Sequence, residues 1–177
     1  MNEARQPDAQ ASGPAAPPAG AAFLLAQLGA HAAGLFAQRV ARLDLTPAQS
    51  GVMRLVALKP GRSQQALADQ LGVVPSTIVS LVDGLEERGL LERRRGTSDR
   101  RHYALHLTER GTQTLADIRE VAVHHEDDIA AALDDAERRT LIQLLQRIAD
   151  QQGLEPGVHP GYRNLGGAAR PPVAPDA

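Results

Sequence analysis

The chain has 177 residues, a formal net charge of −2 and no cysteine. This length suits one domain or one domain with arms, and without cysteine the chain has no disulfide, thiol nucleophile or thiol redox sensor. Aromatic residues make up only 2% of the chain, so the core must be built from Leu, Val, Ile and Ala, which suits packed helices.

Both ends of the chain differ in composition from its middle. Residues 1–19 are mostly Ala, Pro, Gly and Gln, and proline and glycine recur from Gly153 onward. Such segments bury too little apolar surface to offset the entropy of ordering. The sequence therefore predicts a disordered N-terminal arm over 1–19, an ordered domain over 20–152 and a disordered C-terminal tail over 153–177.

A first helix is predicted from about Gly20 to Leu43, with apolar residues at spacings of three and four. Residues 13–38 carry no formal charge, but they lack the basic start and compact apolar stretch of a signal peptide. We therefore expect a buried core or dimerisation helix in a cytoplasmic protein, with no membrane partner.

Three short helices are predicted next. Thr46-Pro47-Ala48-Gln49 forms a capping box with proline in the first turn. Ser63 is a suitable cap for a third helix that ends at Gly72, and Pro75 opens a fourth that ends at Gly89. In this fourth helix the apolar stripe is Ile78, Leu81, Val82 and Leu85, and the opposite face carries Ser76, Thr77, Ser80 and Gly84.

Two strands, 90–94 and 103–107, are predicted around a turn at Gly96-Thr97-Ser98-Asp99, with Tyr103, Leu105 and Leu107 facing inward. Between Glu92 and His102 five arginines stand against two acids. This is a local basic patch on a mildly acidic chain, which indicates a site rather than a tail.

Two further helices complete the domain. Thr108 caps a long helix with an apolar seam to about Ala132, and Asp134 with Glu137 forms a second capping box. The last helix has an apolar face of Leu141, Leu144, Leu145 and Ile148. Wide apolar stripes on the first and last helices suggest a partner chain.

The order of elements predicts a mainly α fold: a winged helix-turn-helix with a small β-hairpin wing and terminal helices forming a dimerisation domain. Its DNA-binding core spans about 46–108. The fourth helix would enter the major groove, and the wing arginines would bind phosphate or a narrow minor groove. The predicted DNA-binding residues are Ser63, Gln64, Pro75, Ser76, Thr77, Ser80, Arg94, Arg95, Thr97, Ser98, Arg100 and Arg101. Asp99 is expected to pair with Arg101 and so shape the wing.

The stretch Asp99-Arg100-Arg101, followed by Leu107-Thr108-Glu109-Arg110-Gly111, resembles the D-x-R…L-T-x-x-G signature of the MarR (multiple antibiotic resistance regulator) family of bacterial transcription factors. The resemblance covers about residues 21–152. It implies an all-helical dimer whose two winged modules bind a pseudo-palindromic operator. The chain departs from the family at Ser80 and Gly84, where recognition helices often carry arginine, so the wing is expected to set affinity.

The resemblance implies a ligand-responsive dimeric repressor with a small aromatic or phenolic effector. The candidate effector-binding residues are His31, Met53, Arg54 and His124. The alternative is a winged-helix interaction module that binds an acidic protein rather than DNA. No catalytic constellation or phosphate loop is visible, and adjacent His124 and His125 point about 100° apart on a helix. We therefore expect no enzyme activity, cofactor or metal.

Overall fold

The computed structural model describes residues 20–95 and 103–166. The helices within these ranges are α1 (Ala21–Ala41), α2 (Pro47–Leu58), α3 (Gln64–Leu71), α4 (Pro75–Glu87), α5 (Glu109–Ile129) and α6 (Asp135–Gln151), with a 3₁₀ helix at Pro160–Gly166. Strands β1 (Leu91–Arg95) and β2 (Tyr103–Leu107) form an antiparallel hairpin. The fold is mainly α, as predicted. The predicted disorder of residues 1–19 and 167–177 and the predicted wing turn lie outside the described residues.

Side-chain caps set the helix starts where the sequence places them. Thr46 Oγ1 accepts from the Gln49 backbone N–H at 3.2 Å, and Gln49 Oε1 accepts from the Thr46 N–H at 3.0 Å. Asp134 and Glu137 form the same reciprocal box at α6. Gly72 ends α3 with φ 64°, a left-handed conformation that favours glycine. The turn from α3 to α4 is therefore short and fixed.

An aliphatic core joins α2, α3, α4, the hairpin and the start of α5. Ile78, Val82 and Leu85 of α4 are fully buried in it, whereas Leu81 of the predicted stripe is only half-buried. Burying a side chain of this size contributes about 1.5–3 kcal/mol. This one-sided burial fixes the rotation of α4 and leaves its opposite face toward solvent.

The hairpin pairs Leu91 with Leu107 and Arg95 with Tyr103. Leu105 is buried, but Tyr103 is 48% exposed. The prediction that Tyr103 faces inward is wrong, because the register places it opposite Arg95 at the open end of the hairpin, beyond the core.

The junction between hairpin and α5 explains the L-T-x-x-G motif. Thr108 Oγ1 accepts from the Gly111 N–H at 2.9 Å and donates to the Gly89 carbonyl at 2.7 Å. A Cβ at Gly111 would overlap the Leu90 carbonyl. Threonine therefore caps α5, and glycine lets the helix lie directly against the chain that enters β1.

Helices α1 and α6 leave apolar faces at the surface. Of α1 only Val40 is buried, and no residue of α6 is. By length and composition alone, α1 could also cross a membrane. However, Phe36 and Val40 pack into the core beside α2 and α5. The predicted burial of α1 is therefore not met within the single chain. The exposed apolar residues include Phe23, Leu24, Leu25 and Leu28 of α1, and Leu141, Ile142, Leu144, Leu145 and Ile148 of α6.

Residues 154–166, which we call the C-terminal strap, fold back onto α2. Tyr162 is 7% exposed, and its hydroxyl donates to the Ala48 carbonyl at 3.0 Å. Arg54 donates to the Gly157 carbonyl, and Val158 packs against the core. For these residues the prediction of a disordered tail is wrong. Composition averages over the segment, whereas a single buried aromatic ring supplies enough apolar area to anchor it.

Candidate nucleic-acid interface and adjoining cavity

The outer face of α4 forms a shallow surface groove. Its walls are Ser76, Val79, Ser80, Asp83, Gly84 and Glu87. Pro75, Ser76 and Ser80 are exposed, and Thr77 is half-buried. The predicted hydroxyl residues therefore lie together at the start of the helix. Their O–H groups can donate to or accept from base edges.

Val79 is a surface residue that the sequence interpretation missed. It is 40% exposed and shares the groove with Ser76 and Ser80. Because Val79 follows Ser76 by three residues, helical spacing could have predicted that both lie on one face of α4. Its methyl groups offer an apolar contact of the kind that thymine methyls receive.

The second half of the groove is acidic. Asp83 and Glu87 line it, and carboxylates repel phosphate. The start of α4, from Ser76 to Ser80, is therefore better suited to contact DNA than its acidic second half. This agrees with the geometry of helix-turn-helix proteins, in which the N-terminal residues of the recognition helix contact base edges.

Arg93 joins the base of the wing to α4. Its guanidinium pairs with Asp83 at 2.5 Å and with Glu86, and its backbone N–H donates to Glu86 at 3.1 Å. Burial lowers the Arg93 pKa, but the hydrogen bonds to Asp83 and Glu86 outweigh it, so the pKa lies above its ordinary value. The Arg93 charge is thus compensated within the chain, and the basic patch is smaller than the residue count suggests.

Arg94 and Arg95 are the exposed arginines of β1. Arg94 pairs with Glu92 at 2.5 Å and keeps 59% of its side chain exposed. Such exposed pairs contribute about 0–1 kcal/mol, so an arriving phosphate can displace Glu92. Thr97, Ser98, Arg100 and Arg101, together with the predicted Asp99–Arg101 pair, lie outside the described residues.

Ser63 and Gln64 stand at the start of α3. Ser63 Oγ accepts from the Ala66 N–H at 3.1 Å and is half-buried, so its first role is that of a helix cap. Its hydroxyl hydrogen remains a donor that could bind a phosphate oxygen. Gln64 is half-buried, and its Nε2 has no hydrogen-bond partner among the described residues.

A separate cavity of about 690 Å³ lies between α1, the start of α2, α4, α5 and the strap. Its walls are mostly apolar. The lining residues are Gly29, Ala32, Ala33, Phe36, Thr46, Pro47, Ala48, Leu81, His125, His159, Gly161, Tyr162 and Leu165. Among the described residues, no group of three or more acidic or histidine side chains could hold a metal ion.

The structure does not bring the four candidate effector residues together. Met53 is fully buried in the core, His31 and His124 are exposed, and Arg54 binds the strap at Gly157. None of the four lines the cavity. His125, the next residue after His124, does line the cavity, because one position along a helix turns a side chain by about 100°.

His125 is held in one tautomer by Arg39. Arg39 donates to His125 Nδ1 at 2.8 Å and also pairs with Asp128. Because a guanidinium only donates, Nδ1 accepts, and the proton of the neutral ring is on Nε2. Burial and the Arg39 charge lower the His125 pKa, against the opposing Glu126 and Asp128. The apolar wall therefore contains an imidazole whose Nε2–H is a donor.

The short turn between α3 and α4, the small polar side chains on the outer face of α4 and the arginine-bearing β1–β2 hairpin define a winged helix-turn-helix protein. The MarR family profile matches residues 43–102. The chain is 44% identical over 112 residues to the protein named for transcriptional regulation of the hcr operon in Thauera aromatica, covering 63% of this chain and 68% of that one. It is 30% identical over 119 residues to the transcriptional regulator HosA of Escherichia coli O157:H7, covering 64% and 88%. The chain belongs to the MarR family.

A solved structure agrees with this assignment. The transcriptional repressor CouR bound to a 23-mer DNA duplex superposes with a TM-score of 0.65 at 37% identity, covering 73% of this chain and 92% of that one. The protein is a DNA-binding transcriptional regulator and not an enzyme. This decides against the alternative of an interaction module that does not bind DNA.

Proposed function

We propose that the protein is a dimeric, ligand-responsive repressor that binds a pseudo-palindromic operator in the cytoplasm. The observation that carries the proposal is the position of the cavity. Leu81 of α4 lines the cavity, and the adjacent Ser80 lies in the groove on the outer face of the same helix. A ligand in the cavity therefore contacts the element that would read DNA. The name of CouR, a repressor at 37% identity, supports repression rather than activation.

The partner that best fits α1 and α6 is a second copy of the chain. Both helices expose large apolar side chains, and α6 buries none of its residues against the described remainder of the chain. Pairing two copies about a two-fold axis would bury these faces and place two α4 helices in symmetric positions. Such a dimer binds two half-sites about one helical turn apart, which requires a pseudo-palindrome.

On the DNA, the residues divide into two groups. Ser76, Thr77 and Ser80 would contact base edges from α4, with Pro75 at its first turn, while Ser63 and Gln64 would meet the backbone from α3. The wing would bind phosphates or the minor groove through Arg94, Arg95, Thr97, Ser98, Arg100 and Arg101, with Asp99 paired to Arg101. Arginine in a wing adds affinity that depends strongly on salt.

The effector would be a planar, mostly apolar molecule with one hydrogen-bond acceptor, such as an aromatic or phenolic acid. Phe36 and Tyr162 offer aromatic rings, and His125 offers an Nε2–H donor. The cavity of about 690 Å³ falls in the usual range for small-molecule sites. If the ligand binds one arrangement of α4 better than the other, it shifts the population away from the DNA-binding form.

A salt titration tests DNA binding at the wing. Arg95→Ala should weaken binding to a duplex from upstream of the protein's own gene and reduce the log–log salt slope by about two, one phosphate contact per protomer. Arg147→Ala is the matched control, since Arg147 is exposed on α6. Binding by fluorescence anisotropy that keeps the wild-type slope in Arg95→Ala would remove Arg95 from the interface. A wild-type protein with no preference for that duplex over random DNA would contradict autoregulation through an operator there.

A further inference from the structure

We infer that the C-terminal strap is part of the ligand site: Tyr162 and Leu165 form one wall of the cavity, and a bound ligand holds the strap on α2. This assignment, which rests on the proposed effector function of the cavity, makes a C-terminal segment a determinant of ligand affinity.

The strap contributes a large share of the cavity wall. His159, Gly161, Tyr162 and Leu165 line it from one side, and α1 faces it with Gly29, Ala32, Ala33 and Phe36. The Tyr162 hydroxyl is already bonded to the Ala48 carbonyl, so what this residue offers a ligand is its ring. The small residues of α1 leave room for a flat molecule beside that ring.

Gly51 is the residue that admits the strap. It lies inside α2, where glycine destabilises a helix relative to alanine. A Cβ at this position would overlap the Tyr162 hydroxyl. Helix formation gives no reason for glycine here, whereas the close approach of Tyr162 does.

Among the side chains that the structure describes, few hold the strap in place. Besides Tyr162 and the half-buried Val158, it has the hydrogen bond from Arg54 to Gly157. Leu154 and Leu165 remain 46% and 48% exposed. Segments with few buried contacts open locally at low free energy. A ligand that packs against Tyr162 and Leu165 adds contacts only while the strap is docked, so ligand binding and strap docking stabilise each other.

Gly51→Ala tests this coupling, because it displaces Tyr162 while strengthening α2. We expect hydrogen–deuterium exchange in residues 154–166 to quicken, and the affinity for aromatic-acid probes to fall at least tenfold. The probes are benzoate, salicylate, 4-hydroxybenzoate and cinnamate, measured by calorimetry on the full chain. In the wild type, the probe that binds should slow exchange in the strap. Tyr162→Ala removes the anchor by a second route and should act in the same direction.

Leu154→Ala is the matched control, since Leu154 is in the strap but does not line the cavity. Its probe affinity should equal the wild-type value. A strap that exchanges rapidly in Gly51→Ala or Tyr162→Ala while probe affinity is unchanged or higher would overturn the inference and leave the effector function standing. A wild-type protein that binds none of the four probes would instead contradict the proposed aromatic-acid effector.

Discussion

Thr108 and Gly111 hold the start of α5 against the chain that enters the hairpin. The threonine hydroxyl bonds to both the Gly111 N–H and the Gly89 carbonyl, and the missing side chain of Gly111 makes room for the Leu90 carbonyl. We predict that Gly111→Ala lowers the free energy of unfolding by about 1–3 kcal/mol, the usual cost of forcing extra volume into a packed site. Urea denaturation measures it.

The control for this prediction is Gln113→Ala, an exposed position on the same helix. It should change stability by no more than about 0.5 kcal/mol. Equal stability of Gly111→Ala and the wild type would show that Leu90 moves aside without cost.

Local sequence patterns were enough to identify residues that bond to backbone groups close by in the chain. The caps at Thr46, Ser63 and Thr108 follow from hydrogen bonds to backbone N–H groups three positions further along the chain. Gly51 and His125 could not be found in this way. Their significance comes from Tyr162 and Arg39, which are distant in sequence, and no local pattern encodes that contact.

At the scale of elements, α4 and the hairpin behave as one unit because Arg93 binds Asp83 and Glu86. We predict that Arg93→Met costs about 1–2 kcal/mol of stability, since it removes charged hydrogen bonds and leaves two partly exposed carboxylates close together. Thermal or urea unfolding measures this. Arg94→Met is the matched control: its exposed pair with Glu92 should contribute less than about 1 kcal/mol. Equal losses in the two variants would contradict a special role for Arg93.

The order and type of the elements could be predicted from the sequence, because apolar spacing and caps act within each element. The exposure of α1, the docking of the strap and the ion pairing of the wing arginines could not be predicted in this way. The apolar residues of α1 predict that it is buried, but they do not indicate which surface would cover it. Whether an arginine faces outward depends on acids brought near it by folding, as Asp83 and Glu86 are brought to Arg93.

At the scale of the whole molecule, the proposed dimer depends on the exposed apolar face of α6. We predict that Leu145→Glu raises the dimer dissociation constant at least a hundredfold, because a carboxylate would be buried without a partner. Gln143→Glu adds the same charge to the opposite side of α6 and should leave the dimer intact. Analytical ultracentrifugation distinguishes the two. A Leu145→Glu variant that dimerises like the wild type would exclude this face from the interface.

The buried phenol of Tyr162 also makes the chain its own optical probe. The protein has two tyrosines and no tryptophan, and burial raises the pKa of Tyr162 to about 12, with Arg54 acting in the opposite direction. A tyrosine freed from the fold ionises near pH 10. The stability that Tyr162 contributes is therefore complete below about pH 10 and is lost as the pH rises from there toward 12. In a Tyr103→Phe variant, the ultraviolet absorbance of tyrosinate would therefore report, without any label, whether the Tyr162 ring is docked or in water.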